Sequence, residues 1–221
     1  MNVRFRFTIL LIGTLLVVGT YTFPLWSPLL EITTVEEFFP GLPAEAQPTF
    51  AAFSPTQQSI YLAMQATYPA MAEALVLAAM GTDRPVPTAQ QAVPTMEAPL
   101  IVGSGQFGRV DATRWAEGRF TIYQQPDNHR VLRIEDFRSA RAPDLRVILW
   151  ATEFPDEESE IVEMLTNVLP LGALDIDLGA LQGNLGSQNY TIPPQVNLNL
   201  YNSVVIYCQR YQVIFSVAPI Q

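Results

Sequence analysis

Ser203-Val-Val-Ile-Tyr-Cys208-Gln-Arg-Tyr-Gln-Val-Ile-Phe-Ser-Val-Ala218 decides the fold, and it holds the chain's one cysteine. Two runs of Val, Ile, Tyr and Phe flank a polar Gln209-Arg210 break, an enrichment in β-branched and aromatic residues that reads as two strands. Val204, Ile206 and Cys208 share one parity, and Val205 and Tyr207 share the other. Side chains on both faces of the first strand are therefore apolar, which predicts a central strand covered on both sides. Gln-Arg lacks the Gly or Asn at positive φ that a two-residue primed hairpin needs, so a longer connection is expected.

Working back towards Pro99, short strand-like runs are separated by Gly, Pro, Asp and Asn. They are Gly105-Gln-Phe107, Arg119-Phe-Thr-Ile-Tyr123, Arg130-Val-Leu-Arg-Ile134, Leu145-Arg-Val-Ile-Leu-Trp150 and Gln188-Asn-Tyr-Thr-Ile192. Leu132 and Ile134 alternate with Val131 and Arg133. Short strands punctuated by turn residues predict an all-β, antiparallel sandwich or barrel. The acidic stretch Asp156 to Asn167 is the exception. It reads as a short helix or solvated loop with Ile161, Met164 and Leu165 turned inward.

The chain has 221 residues, 49% of them hydrophobic, enough for one good domain with attachments. Twelve Arg and no Lys stand against 21 Asp and Glu, a net charge of -9. Nucleic-acid backbones need clustered cations, so this balance argues against nucleic acid as a partner.

Arg4 and Arg6 precede an uncharged run from Phe7 to Trp26, 20 residues long. At about 1.5 Å per residue such a helix covers the roughly 30 Å hydrocarbon core. The arginines before it place the N-terminus in the cytoplasm and the remainder outside, as a single-pass membrane protein. A cleaved signal peptide is the competing reading, but no A-x-A-like site follows Gly19. Either way the remainder is exported. With one thiol no internal disulfide can form, which leaves Cys208 buried and inert, paired with another chain, or free for chemistry.

The domain plan runs as a membrane anchor (1–26), a helical juxtamembrane segment (27–82), a Pro-rich linker (83–98) and the β-domain (99–221). Within the helical segment, Ser54-Pro55-Thr56-Gln57 carries the signature of a capping box with Pro at the first position. The helix then runs from Thr56 to about Tyr68. A second follows from Pro69 to Met80, with Gly81 as a left-handed cap and too few residues to span a bilayer. A helical turn is expected over Glu31 to Phe39. Methionines and tyrosines at helical spacing here read as packing surface, in a stalk or against the β-domain or a partner.

Ordered motifs carry a resemblance from about Gly103 to Ile220. They begin with Gly105-x-Phe107, Leu132-x-Ile134-x-Asp136-Phe137 and Pro143-Asp144-Leu145-x-Val147-x-Leu149. They continue with Asp177-Leu178-Gly179-x-Leu181-x-Gly183-x-x-Gly186-x-Gln188-x-Tyr190-x-x-Pro193, and close with Ser203-Val-Val-Ile-x-Cys208-x-x-Tyr211-x-Val213-x-Phe215-x-x-Ala218. This region resembles the DM13 domain, an extracellular module proposed to act in electron transfer. The resemblance implies an all-β fold and a cysteine of redox importance, which maps onto Cys208. Tyr207 stands where the family often has Trp, and Ala142 where it often has Gly. The insertion from Phe154 to Ala173 is longer than usual. No DOMON or cytochrome b561-type domain is present, so a separate envelope redox protein would have to exchange the electrons.

The site residues follow. Cys208 is the candidate redox thiol, and Arg210, two residues on, the candidate stabiliser of its thiolate. A buried cysteine in a covered strand also serves as a small hydrophobe. One thiol cannot complete a dithiol cycle, so a redox role runs through a sulfenic acid, a mixed disulfide or a bound cofactor. The cofactor is left open: there is no C-x-x-C-H for covalent haem, and no spacing calls for a b-type haem on Met, His or Cys. His129 follows Pro126-Asp-Asn128 and reads as a solvated turn residue rather than a metal ligand. Gly103 to Gly108 lacks the helix and Lys-Ser/Thr ending of a phosphate loop, and Asn189-Tyr-Thr191 fits a glycosylation acceptor. No nucleophile and base pair announces itself, which leaves open whether the chain is an enzyme. Two functions remain: electron transfer through Cys208, or a non-catalytic recognition or assembly module with a structural cysteine.

Overall fold

The computed structural model describes residues 13–14, 17–18, 20–23, 38–153, 161, 163–165 and 167–221. The chain divides into two units, residues 1–37 and 38–221. In the first unit the described residues are helical. Among the described residues no helix is long and apolar enough to cross a membrane, and the expected span Phe7–Trp26 lies mostly outside them. The turn expected over Glu31 to Phe39 also lies almost wholly outside them.

Among its described residues the second unit contains helices α1 (Gln47–Ala51), α2 (Pro55–Thr67), α3 (Pro69–Met80) and α4 (Thr88–Gln91), then eight strands. Strands β1 (Leu100–Gln106), β2 (Ala116–Gln124), β3 (Arg130–Ser139) and β6 (Gln188–Ile192) form one antiparallel sheet in the order β1-β2-β3-β6. Strands β4 (Leu145–Trp150), β5 (Ile176–Ala180), β7 (Ser203–Cys208) and β8 (Val213–Pro219) form the other, in the order β5-β4-β7-β8. Two antiparallel sheets packed on one core agree with the expected sandwich. The sheets meet along one seam, where Ser104 and Gln221 exchange backbone bonds of 3.2 and 2.9 Å and Gly108 N donates to Val217 O at 3.1 Å. Gly105 lies near that seam because a Cβ there would sit 2.5 Å from the Phe120 ring and 2.3 Å from Pro219 O.

β7 is central, and all six of its residues are buried. Its inner face, Val204, Ile206 and Cys208, joins the main core with Val147, Leu149, Phe215 and Ala218. Its outer face, Val205 and Tyr207, packs with Ile148, Trp150 and Ile214 under Met164, Leu165, Leu169 and Leu171 of the long insertion. The Tyr207 hydroxyl donates to Leu169 O at 2.9 Å. Arg114, 4% exposed, forks onto Asp111 and donates to Leu165 O at 3.0 Å, which pins the insertion down. Residues 209–212 connect β7 to β8, the longer link that Gln-Arg requires.

Ser54 caps α2 with the expected box: its Oγ accepts from Gln57 N, and Gln57 Oε1 accepts from Ser54 N at 3.1 Å. Gly81 departs from expectation. Its φ of -63° and ψ of 177° are extended rather than left-handed. The open carbonyls of the last α3 turn are taken instead by Arg141, which donates to Ala78 O and Ala79 O, a cation at the negative end of a helix.

The helices pack on the β-domain rather than standing off as a stalk. Tyr61, Met71, Leu75 and Val76 share its core. The Pro-rich stretch is also bonded down: Pro85 pairs with Leu185, Val86 is buried, and Arg133 donates to the carbonyls of Gln91 and Ala92. Gly183 permits this approach, since a Cβ there would meet Arg84 O at 2.5 Å. Arg133, expected on an outward face, is only 5% exposed beneath the strap and is bonded to Glu135 at 3.0 Å.

Candidate functional site

Register places Cys208 at one end of the sandwich, opposite Leu145 of β4 and Val213 of β8. Because its parity is that of Val204 and Ile206, the sulfur points into the core, and the residue is 0% exposed. Sγ donates to Pro143 O at 3.0 Å. The neighbouring Gln209 N donates to Asp144 O at 3.1 Å, so the turn before β4 and the turn after β7 are stitched together. Asp144 takes a φ of +52°, a conformation that Asp tolerates better than most residues.

Burial pushes the Cys208 thiol up to about 11. The backbone N–H groups of Tyr211 and Arg210 pull the other way, the Asp144 carboxylate adds to the rise, and the Arg210 charge acts weakly against it. Arg210 is exposed and lies over the Tyr211 ring, its guanidinium carbon 5.6 Å from the centroid. The structure therefore does not seat Arg210 on the sulfur. At neutral pH Cys208 is a protonated thiol, with the two turn N–H groups as the donors placed to receive negative charge.

Pro143, Asp144 and Leu145 form one wall of an open cleft of about 500 Å³. Its other walls are Ala78 and Gly81 at the end of α3, Thr82 and Arg84 where the strap begins, Ala180 at the end of β5, and Leu181 and Asn184 beyond it. Arg84 and Arg141 bring positive charge to it. Arg84 donates to Leu181 O at 3.1 Å, and Arg141 pairs with Asp83 at 2.7 Å. Cys208 thus lies one residue behind the cleft wall. Nothing in the spacing of the sequence signals this cleft, because its walls come from three segments far apart in the chain, 78–84, 141–145 and 180–184. Pro143-Asp144-Leu145 and Leu181 are the parts of it that the sequence motifs mark.

A family model described as electron transfer DM13 matches residues 106–220, more than half of the chain, from the end of β1 to just past β8. The chain belongs to the DM13 family. None of the curated proteins and none of the solved structures compared matches it. The DM13 domain's motif residues take up identifiable work. Leu145, Val147, Leu149, Val204 and Phe215 fill the core, Gly105 and Gly183 allow close backbone approach, and Cys208 sits behind the cleft.

The other candidates lie apart from this site. His129 is exposed in the β2–β3 turn, 3.3 Å from Asp127. Asn189, the glycosylation candidate, spends its amide on Gln90 O and Ala92 O at 2.9 and 3.0 Å. Among the described residues no cluster of three or more His, Cys, Asp or Glu could hold a metal ion.

Proposed function

We propose that this chain is an electron-transfer module of the DM13 class in which Cys208 carries the redox change and the cleft over Pro143–Leu145 receives the partner. The observation that supports this most is the hydrogen bond from Cys208 Sγ to Pro143 O, one residue behind the cleft wall. The step is thiol–disulfide exchange with a disulfide of a separate envelope redox protein. Cys208 gives its proton to solvent and its sulfur attacks one partner sulfur; the new S–S bond forms as the old one breaks. The released partner sulfur takes up a proton, so Cys208 is oxidised to the disulfide level and the partner is reduced to a thiol. Burial makes the thiol slow at rest, and opening of the wall exposes it to solvent and partner while the Arg210 and Tyr211 N–H groups already beside the sulfur stabilise its thiolate.

The test incubates the full-length protein with oxidised glutathione and follows intact mass. Addition of one glutathionyl group to native protein, absent in Cys208→Ser, is expected. Addition that requires denaturant would contradict the single-cysteine route.

A second reading is favoured by the complete burial of Cys208: the domain is a recognition or assembly module whose cysteine fills the core. It predicts that Cys208→Ala leaves every partner interaction intact.

The tether belongs to the same proposal. Arg4, Arg6 and the uncharged run Phe7–Trp26 support an N-terminal membrane anchor with the β-domain outside the cytoplasm. Protein that stays with membranes after an alkaline carbonate wash is expected, and release into the wash would refute the anchor.

A further inference from the structure

The β3–β4 connection, residues 140–144, runs from one sheet to the other past the end of β7 and carries the Pro143 carbonyl that meets Cys208. Its two ends are fixed by backbone bonds. Ala140 N donates to Trp115 O at 2.9 Å, and Asp144 O accepts from Gln209 N at 3.1 Å. Between them Arg141, Ala142 and Pro143 make no backbone–backbone hydrogen bond among the described residues, and Pro143 has no N–H to give. A thiol is a weak donor, so the Cys208 bond to Pro143 O holds the middle of the connection only lightly. Ala142 adds a small apolar contact with the core.

The strong hold is the Arg141 side chain. Its Nε donates to Ala78 O at 3.3 Å, one Nη to Ala79 O, and the other Nη to Asp83 Oδ1 at 2.7 Å. The two carbonyls belong to the last turn of α3, which Leu75 and Val76 seat in the core, so they form a rigid anchor. Asp83 is fixed in its turn: Oδ1 also accepts from Asn184 Nδ2 at 2.8 Å, and Asn184 Oδ1 accepts from Arg84 N at 2.6 Å. Charge-assisted bonds from a guanidinium fork are roughly twice as strong as neutral ones. The Arg141 and Asp83 side chains are nevertheless 29% and 41% exposed, and Arg141 lines the cleft, so the fork can let go without disturbing the core.

We propose that Arg141 is the latch of the Pro143 wall. While its fork grips α3 and Asp83 the connection stays down on Cys208, and release lets residues 141–143 lift between their fixed ends. Arg141 is a positioning residue, acting on the thiol through the wall. The inference rests on the electron-transfer reading, in which that wall opens in the folded protein.

Labelling of Cys208 by N-ethylmaleimide, a neutral reagent, tests it on the full-length chain and its variants across low denaturant. Where the rate is independent of denaturant it reports local opening, and where it climbs steeply it reports global unfolding. Arg141→Gln should raise the denaturant-independent rate about tenfold. Asp83→Asn, which weakens one arm of the fork, should raise it about threefold. Arg141→Lys keeps a charge for Asp83 but cannot hold both carbonyls, and should fall between wild type and Arg141→Gln. A residue that merely stabilises the fold would lower the denaturation midpoint and leave the denaturant-independent rate unchanged. That result for Arg141→Gln, or for folded Arg141→Lys and Asp83→Asn should Arg141→Gln not fold, would overturn the latch and leave the opening wall standing. A wild-type rate that tracks global unfolding throughout would instead remove the electron-transfer reading, and the latch with it.

Discussion

β7 and β1 are both written in apolar residues, yet all six residues of β7 are buried, whereas Leu100, Ile101 and Val102 open β1 at 67%, 66% and 40% exposure. The difference lies in their neighbours. β7 has a strand on each side, the core beneath and the insertion above; β1 is the edge of its sheet, and its backbone bonds across the seam begin only at Ser104. Apolar composition marks a strand, but burial of both faces depends on what the rest of the chain lays over it. The candidate redox residue sits at the end of the most deeply covered strand in the molecule.

The sharpest way to break this contrast is at the outer face of β7. Tyr207→Ala removes a ring under the insertion and its bond to Leu169 O, and should cost about 3–5 kcal/mol in chemical denaturation. A loss below about 1 kcal/mol would mean the insertion is not a structural cover.

Next comes alkaline pH. The folded-state thiol of Cys208 is raised from 9.0 to about 11, so folding favours the proton and the associated stability is full below pH 9. It is lost as pH rises through about 11, and amounts to about 2–3 kcal/mol. Tyr207, raised from 10.0 to about 12 by burial first and then by Cys208 and Asp175, adds a later loss with the same sign. Thermal melts across this range should therefore begin to fall near pH 9 in the wild type and about one unit later in Cys208→Ala. Coincident curves would show that the thiol is not buried in solution.

The smallest effect is expected on β1. Ile101→Ser should change stability by less than about 0.5 kcal/mol, because the residue is already in water. A loss of more than 1 kcal/mol would place that edge against another surface.

Local rules made part of this fold legible. Parity in Ser203–Cys208 marked a doubly covered strand, and Ser54 with Gln57 marked the start of α2. β5 carried no such signal: Asp177 and Gly179 interrupt its apolar pattern, and it pairs with β4 through an irregular register. Gly81 fits a left-handed cap in isolation, yet Arg141, 60 residues on, takes the carbonyls such a cap would serve. The same kind of long-range partner buries Arg133 under the Pro-rich strap. At the site, sequence proximity suggested Arg210 as the thiolate's partner. Arg210 lies in the turn after β7, which exposes its side chain over Tyr211 so that its charge acts only weakly on the sulfur, while Sγ donates to a carbonyl on another turn.

The central claim is that Cys208 becomes reactive by opening of the Pro143 wall while the sandwich stays folded. Thiol-labelling rates of the native full-length chain, measured across low denaturant concentrations, test it most directly. The account predicts a labelling rate nearly independent of denaturant at first, faster than global unfolding allows and absent in Cys208→Ser. A rate that follows the global unfolding transition from the lowest denaturant upward would contradict it, leaving the thiol as core filling.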